Sequence, residues 1–184
     1  FNFTARFTRN DVWRPRKFND TFYRMFGRQN WPNIPMYDPS GNIFGYNAVE
    51  LEQGGQRDVQ TDRHYYQAAL IFEPIKNWVT NVEFNYSIMN QKVKETTLPS
   101  YQLGPTGTEL YQEDKKENYL NLNVYSEYAR TFNDSHNFKI MLGFQAEEME
   151  QSDLNVFKNG LIMSDMPEFD LTNGQLNSGL SKDA

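Results

Sequence analysis

The chain has 184 residues and a net charge of -6, a length that fits one domain and a balance that gives no basic footprint for nucleic acid. It has no cysteine, so neither disulfides nor thiolate metal sites are open to it, and no run approaches the roughly 18 apolar residues of a membrane helix. Hydrophobic residues are only 38% of the chain while aromatics reach 15%, the composition of strands with one wet face. Membrane strands stay allowed, because they need only about 9–11 tilted residues and carry weak hydropathy.

Alternation with a period of two predicts five strands. The first, over residues 1–9, sets Phe1, Phe3, Ala5 and Phe7 against Asn2, Thr4, Arg6 and Thr8. Alternation from the first residue onward reads as an internal piece of a longer protein, with a mature N-terminus after signal removal as the plainer alternative. A long connection follows, in which Asn19 or Asp20 would cap a short helix ended by Gly27, and Asp38-Pro39-Ser40-Gly41 would turn. The second strand, 64–73, places His64, Tyr66, Ala68, Leu70 and Phe72 on one side. The third, 78–90, is the cleanest, with Val82, Phe84, Tyr86 and Ile88 interleaved with Asn81, Glu83, Asn85 and Ser87. The fourth, 119–132, has Leu120, Leu122, Val124, Tyr128 and Phe132 on its even side, and the fifth, 138–150, has Phe138, Ile140, Leu142, Phe144 and Ala146.

Two connections read as five-residue turns, Glu73–Asn77 and Asn133–Asn137. An odd turn keeps the apolar sides in phase, which would set Phe72 opposite Trp78 and Phe132 opposite Phe138. The remaining connections are long, so short turns fall at one end of the sheet and long loops at the other. That asymmetry, with aromatics at the strand ends, belongs to outer-membrane barrels, although a soluble sandwich also has functional loops. On the barrel reading Phe72, Trp78, Phe132, Phe138, Leu142 and Phe144 face lipid or its interface. Asn121, Asn123 and Glu127 then line a wet lumen. Arg130, on the apolar side but two residues from a turn, would snorkel at the interface, and Ser126 is tolerable on the same side.

Sites of chemistry are sparse. His64 and His136 lie far apart in sequence, without evident co-ligands. Glu148 and Glu150 share a strand face while Glu147 points away, which suits a solvated rim better than acid–base work. Asp165, Glu168 and Asp170 lack the ligand spacing of a calcium loop. No cofactor, metal ligand or catalytic residue is assigned, a loop calcium being the single ion that these carboxylates leave open. Trp13, Arg14, Arg16, Trp31 and Tyr37, with Tyr23 and Tyr46, form an aromatic and basic set in the first long connection. Rings and guanidinium forks of this kind stack on sugars or grip carboxylates; equally, a loop that long needs an apolar mini-core.

Four stretches, "IPMYDPSGNIFGYN", "FEPIKNWVTNVEFNYS", "YSEYARTFNDSHNFKIMLGFQAEE" and "SDMPEFDLTNG", resemble the barrel region of SusC/RagA-type TonB-dependent outer-membrane transporters, in order from Ile34 to Gly174. The resemblance implies a transmembrane β-barrel of up-and-down antiparallel strands, closed in the family by 22 strands and an N-terminal plug. It further implies import of oligosaccharides, peptides or similar nutrients across the outer membrane of a Gram-negative bacterium. The implied partners are a SusD-like surface lipoprotein and TonB. The TonB-contacting segment, the plug and the aromatic-ended terminal strand have no counterpart among these residues. The competing expectation is a secreted or surface-attached all-β module binding glycans or proteins, with the apolar face buried under a second sheet.

Overall fold

The structure is a computed structural model and describes residues 1–16, 20–29, 33–99, 107–133, 136–163 and 166–183. Six strands, β1 (Asn2–Pro15), β2 (Gly55–Ile75), β3 (Trp78–Thr97), β4 (Glu109–Phe132), β5 (His136–Asn159) and β6 (Leu176–Asp183), form one sheet in sequence order. Every neighbouring pair is antiparallel. The fold is all-β and up-and-down, and the sheet is open, with β1 and β6 at its edges.

All five expected strands are present, but each runs well past its alternating stretch. β4 begins at Glu109 and β5 reaches Asn159, because ladder hydrogen bonds need no apolar side chains and pairing continues where both faces are polar. β6 was not expected: its "LNSGLSKD" shows apolar side chains only at Leu176 and Leu180. The helix α1 (Asp20–Gln29) continues two residues past Gly27, and Asp20 lies inside it. Asn19 lies outside the described residues. A second helix, α2 (Ala48–Gln53), starts at Asn47, whose side chain accepts hydrogen bonds from the Val49 and Glu50 N–H groups. Asn-x-x-Glu is the kind of start signal that opens a helix.

The two tight connections are shorter than five residues. Glu73, Pro74 and Ile75 belong to β2, which shifts register between Phe72 and Ile75, so Phe72 lies opposite Thr80 and Ile75 opposite Trp78. Asn77 closes that turn at φ 73°, a left-handed conformation that asparagine tolerates, and the Glu73 carboxylate accepts its N–H at 2.9 Å. In the other hairpin His136 and Asn137 pair with Phe132 and Thr131, and Phe138 lies opposite Arg130 rather than Phe132. Asp134 and Ser135 lie outside the described residues. Apart from the Ile75–Trp78 pair beyond the register shift, parity survives in both hairpins, so even residues still meet even residues across β2 to β6.

Fully buried side chains gather at the long-loop end, where Val93, Leu110 and Thr96 sit. The β5–β6 connection folds back over this end. Leu161 N–H donates to the Thr108 hydroxyl at 2.8 Å, Lys158 Nζ donates to the Phe169 carbonyl at 3.1 Å, and Lys94 pairs with Glu168 at 2.9 Å. Gly55 enters β2 at φ 105°, and a Cβ there would collide with the Thr96 carbonyl. Gly55→Ala is therefore expected to lower thermal stability by at least about 1–3 kcal/mol, the cost of holding a side chain at such a φ, as read from the loss of β-sheet circular dichroism on heating.

Candidate functional site

The register sorts the sheet into two chemically distinct faces. One carries the odd residues of β1 and the even residues of β2 to β6. At its turn-proximal end this face is an apolar belt containing Phe3 and Phe7, Leu70 and Phe72, Trp78 to Ile88, Leu120 to Phe132, and Phe138 to Ala146. All six residues expected at lipid or its interface lie here together, from 42% exposed at Trp78 to 74% at Leu142. Nothing in the described chain covers them.

Polar positions inside the belt are answered locally. The Trp78 indole N–H donates to Ser126 Oγ at 2.6 Å, and Thr80 and Ser126 share a hydroxyl contact at 2.9 Å. The Arg130 guanidinium lies 5.0 Å from the Phe132 ring centre, a cation–π arrangement at the extreme turn end. His64 packs against Phe7 at 4.8 Å between ring centres.

The loop-side edge of the belt steps in one direction. The continuous apolar run ends at Ile88 on β3; on β4 it ends at Leu120, which pairs with Tyr86, and on β5 at Ala146, which pairs with Leu122, itself opposite Phe84, before Leu110, Leu154 and Val156 return on the same face nearer the loops. The boundary thus moves two residues toward the turns with each strand. At the other edge Trp78 opens β3 opposite Tyr128, β4 continues four residues further to Phe132, and β5 opens its apolar run at Phe138, opposite Arg130. From β3 to β4 the two edges move together, as in a band of constant height crossed by tilted strands. Trp78 to Ile88 extends about 33 Å along β3 at roughly 3.3 Å per residue, and a tilt of about 40° shortens that to roughly 25 Å, the height of an outer-membrane apolar band.

Beyond the belt the same face turns charged. Arg9, Asp62, Asn90, Lys116, Ser152 and Lys182 form one cross-strand row. Arg9 grips Asp62 in a fork at 2.7 and 2.8 Å, and Lys182 pairs with Glu150 at 2.7 Å.

The opposite face is mainly polar; its exposed large apolar side chains are Val12, Tyr65, Ile71, Met141 and Met149. A hydrogen-bonded row crosses four strands on it. Tyr65 Oη donates to Asn85 at 3.0 Å, Asn85 to Asn121 at 3.4 Å, and Asn121 to Glu147 at 3.0 Å, where Gln145 also donates at 2.8 Å. Further out on the same face Glu95 receives both Arg16 and Arg57, the latter at 3.5 Å. They border a hollow of about 330 Å³ with Glu109, Tyr111 and Glu113. Neither cluster is legible as such in the sequence, because cross-strand alignment is a property of the register.

The expected substrate set does not assemble. Trp13 and Arg14 belong to β1 rather than to a loop and point to opposite faces, since ladder pairing with β2 persists to Pro15. Trp13 lies on the belt side, far from the turns, its indole donating to Gln56 at 3.3 Å. Arg16 leaves the strand, and its guanidinium is taken by Glu95. Tyr37 is exposed in a small turn bridged to Ile43, and Trp31 lies outside the described residues. Tyr23 is exposed on α1, while Tyr46 meets the buried Phe22 edge-on.

His136 is the first residue of β5 rather than part of a turn. Glu147 falls on the polar face, away from Glu148 and Glu150. Of the calcium candidates, Asp165 is outside the described residues and Glu168 is engaged by Lys94. Among the described residues no three His, Asp or Glu side chains are grouped as metal ligands.

In the Tyr37–Ile43 turn the Asp38 carboxylate accepts hydrogen bonds from the Asn42 side chain, the Asn42 N–H and the Ser40 N–H. These hold its pKa below the ordinary aspartate value. A depressed carboxyl contributes its stability above its unfolded pKa and loses it as pH falls through the folded one. Amide exchange at Ser40 and Asn42 is therefore expected to accelerate, relative to the sheet, only when pH drops below the normal aspartate range.

No protein-family model matches the chain, and no curated protein matches it in sequence.

Proposed function

We propose that this chain is part of the wall of an outer-membrane β-barrel of the SusC/RagA, TonB-dependent kind, in a Gram-negative bacterium. Its belt faces lipid and its amide row faces the lumen. The observation that carries this reading is the uncovered apolar belt, whose loop-side edge steps two residues per strand across β3, β4 and β5 and whose two edges move together from β3 to β4. Tilted membrane strands need such a band. A sandwich would instead bury the whole face, including Asp62, Lys116 and Glu150, which lie on it only one or two positions beyond the belt; burying those charges costs several kcal/mol each.

An open sheet cannot sit in hydrocarbon, because its edge N–H and C=O groups would go unpaired. The reading therefore requires further strands beyond β1 and β6 to close the wall. On the same reading the complete protein imports oligosaccharides, peptides or similar nutrients. A SusD-like lipoprotein sits over the long-loop end, and TonB engages a segment other than these strands. The work is transport rather than catalysis.

The test uses single cysteines carrying an environment-sensitive fluorophore in the complete, reconstituted protein. Labels at Phe84 and Leu142 are expected to be quenched by brominated lipid and spared by aqueous iodide. Labels at Asn123 and Gln145 are expected to show the reverse. Equal quenching on both faces by iodide would replace the barrel with a soluble module.

A further inference from the structure

Beyond the belt, lysines are sorted by face. On the outer halves of the strands Lys92, Lys94, Lys116, Lys158 and Lys182 share the belt's face, whereas Lys115 lies on the polar face among Glu95, Glu109, Glu113, Glu117 and Asp153. Two of the five are engaged by the chain's own β5–β6 connection, Lys94 by Glu168 and Lys158 by the Phe169 carbonyl. Nearer the belt the arrangement differs. Lys116, Asn118, Glu150, Ser152 and Lys182 border a hollow of about 190 Å³. Asn118 is the next residue on this face after Leu120, where the belt ends on β4, so the hollow adjoins the belt's edge directly. Ser152 lies between the two lysines in one row, pairing with Lys116 on β4 and Lys182 on β6. The Glu150 carboxylate is neutralised by Lys182 at 2.7 Å, and Lys116 forms no ion pair among the described residues.

We infer that this hollow seats the anionic phosphate headgroup of an outer-leaflet lipid, held by the Lys116 ammonium with Ser152 and Lys182 beside it. The inference rests on the membrane reading, which puts this edge at the headgroup level on the long-loop side. Its further content is chemical. The residues bordering the hollow set a hydroxyl between two ammonium groups, with one carboxylate in the neighbouring row, a lining with one positive charge in excess and donors on several sides, which complements a phosphate. Lysine stems lie along apolar surface while their heads reach the polar layer. The face opposite, where lipid would be absent, has no matching lysine group.

The experiment places the complete protein in nanodiscs of phosphatidylcholine, with and without phosphatidic acid. Acylation of Lys116 by a water-soluble amine reagent is followed by mass spectrometry, with Lys115 on the other face as reference. The same discs carry a Leu142→Cys variant whose label is tested with brominated lipid. Phosphatidic acid is expected to slow Lys116 acylation about fivefold, as for a lysine held at an anionic lipid surface, and to leave Lys115 unchanged. If the Leu142→Cys label is quenched while Lys116 and Lys115 respond alike, the headgroup site is wrong and the membrane reading survives. If that label is not quenched, the membrane reading falls and takes the site with it. Equal protection of Lys116 by inorganic phosphate in detergent would overturn the lipid as its occupant.

Discussion

On the barrel-wall reading, Leu142→Arg is expected to destabilise the protein in lipid by about 2–4 kcal/mol, the cost of arginine at the bilayer midplane on a barrel's lipid face. Leu142 stands at the centre of the Phe138–Ala146 run and is 74% exposed on the isolated sheet. In water, a substitution at so exposed a site would fall within about ±0.5 kcal/mol. Met141→Arg, one residue away, points to the polar face and is expected to cost far less. Depth supplies a second check. Ala146→Arg at the belt's edge should cost only about 0–1 kcal/mol, as at an interface. A sandwich core would penalise both sites without regard to such a gradient. Denaturant unfolding from lipid vesicles measures the whole series.

The belt was legible in the sequence because its residues alternate, and alternation is a local property. Strand length was not, since alternation ends where the outward face becomes charged while ladder pairing continues. β4 shows this well: its pattern begins near Tyr119, but pairing begins at Glu109. Trp13 and Arg14 were misread for the same reason, because Asn10 and Asp11 interrupt the pattern without interrupting β1. The hairpins kept their parity but not their expected partners. A two-residue turn closed by Asn77 in a left-handed conformation replaces a five-residue one, and positive φ at asparagine leaves only a weak mark in a sequence. Asn47 followed by Glu50 was a readable start for α2. The Tyr65–Asn85–Asn121–Glu147 row had no sequence signal, since its members come from four strands and align only once the register is fixed.

Leu110→Ala supplies the opposite case and is expected to cost about 2–5 kcal/mol, as for a fully buried leucine whose site cannot collapse. Leu110 shares the belt's face, yet it is 0% exposed, whereas Leu142, on the same face, is among the barest side chains in the chain. Solvent exposure therefore reverses along one face, and the two ends of the sheet are stabilised by different means. At the turn end nothing in the described chain covers the apolar side chains. At the loop end the protein provides its own cover, with Leu110 paired between Thr96 and Lys158 beneath the segment that carries Glu168 and Phe169. Losing the Leu110 side chain should loosen that segment first. Amide exchange at Ile162, whose N–H donates to the Leu171 carbonyl at 2.8 Å, is expected to rise before exchange in the belt strands does. Equal and simultaneous exchange at both ends would mean that the sheet and its loop cover unfold as one unit. The independent packing of the loop end would then be refuted.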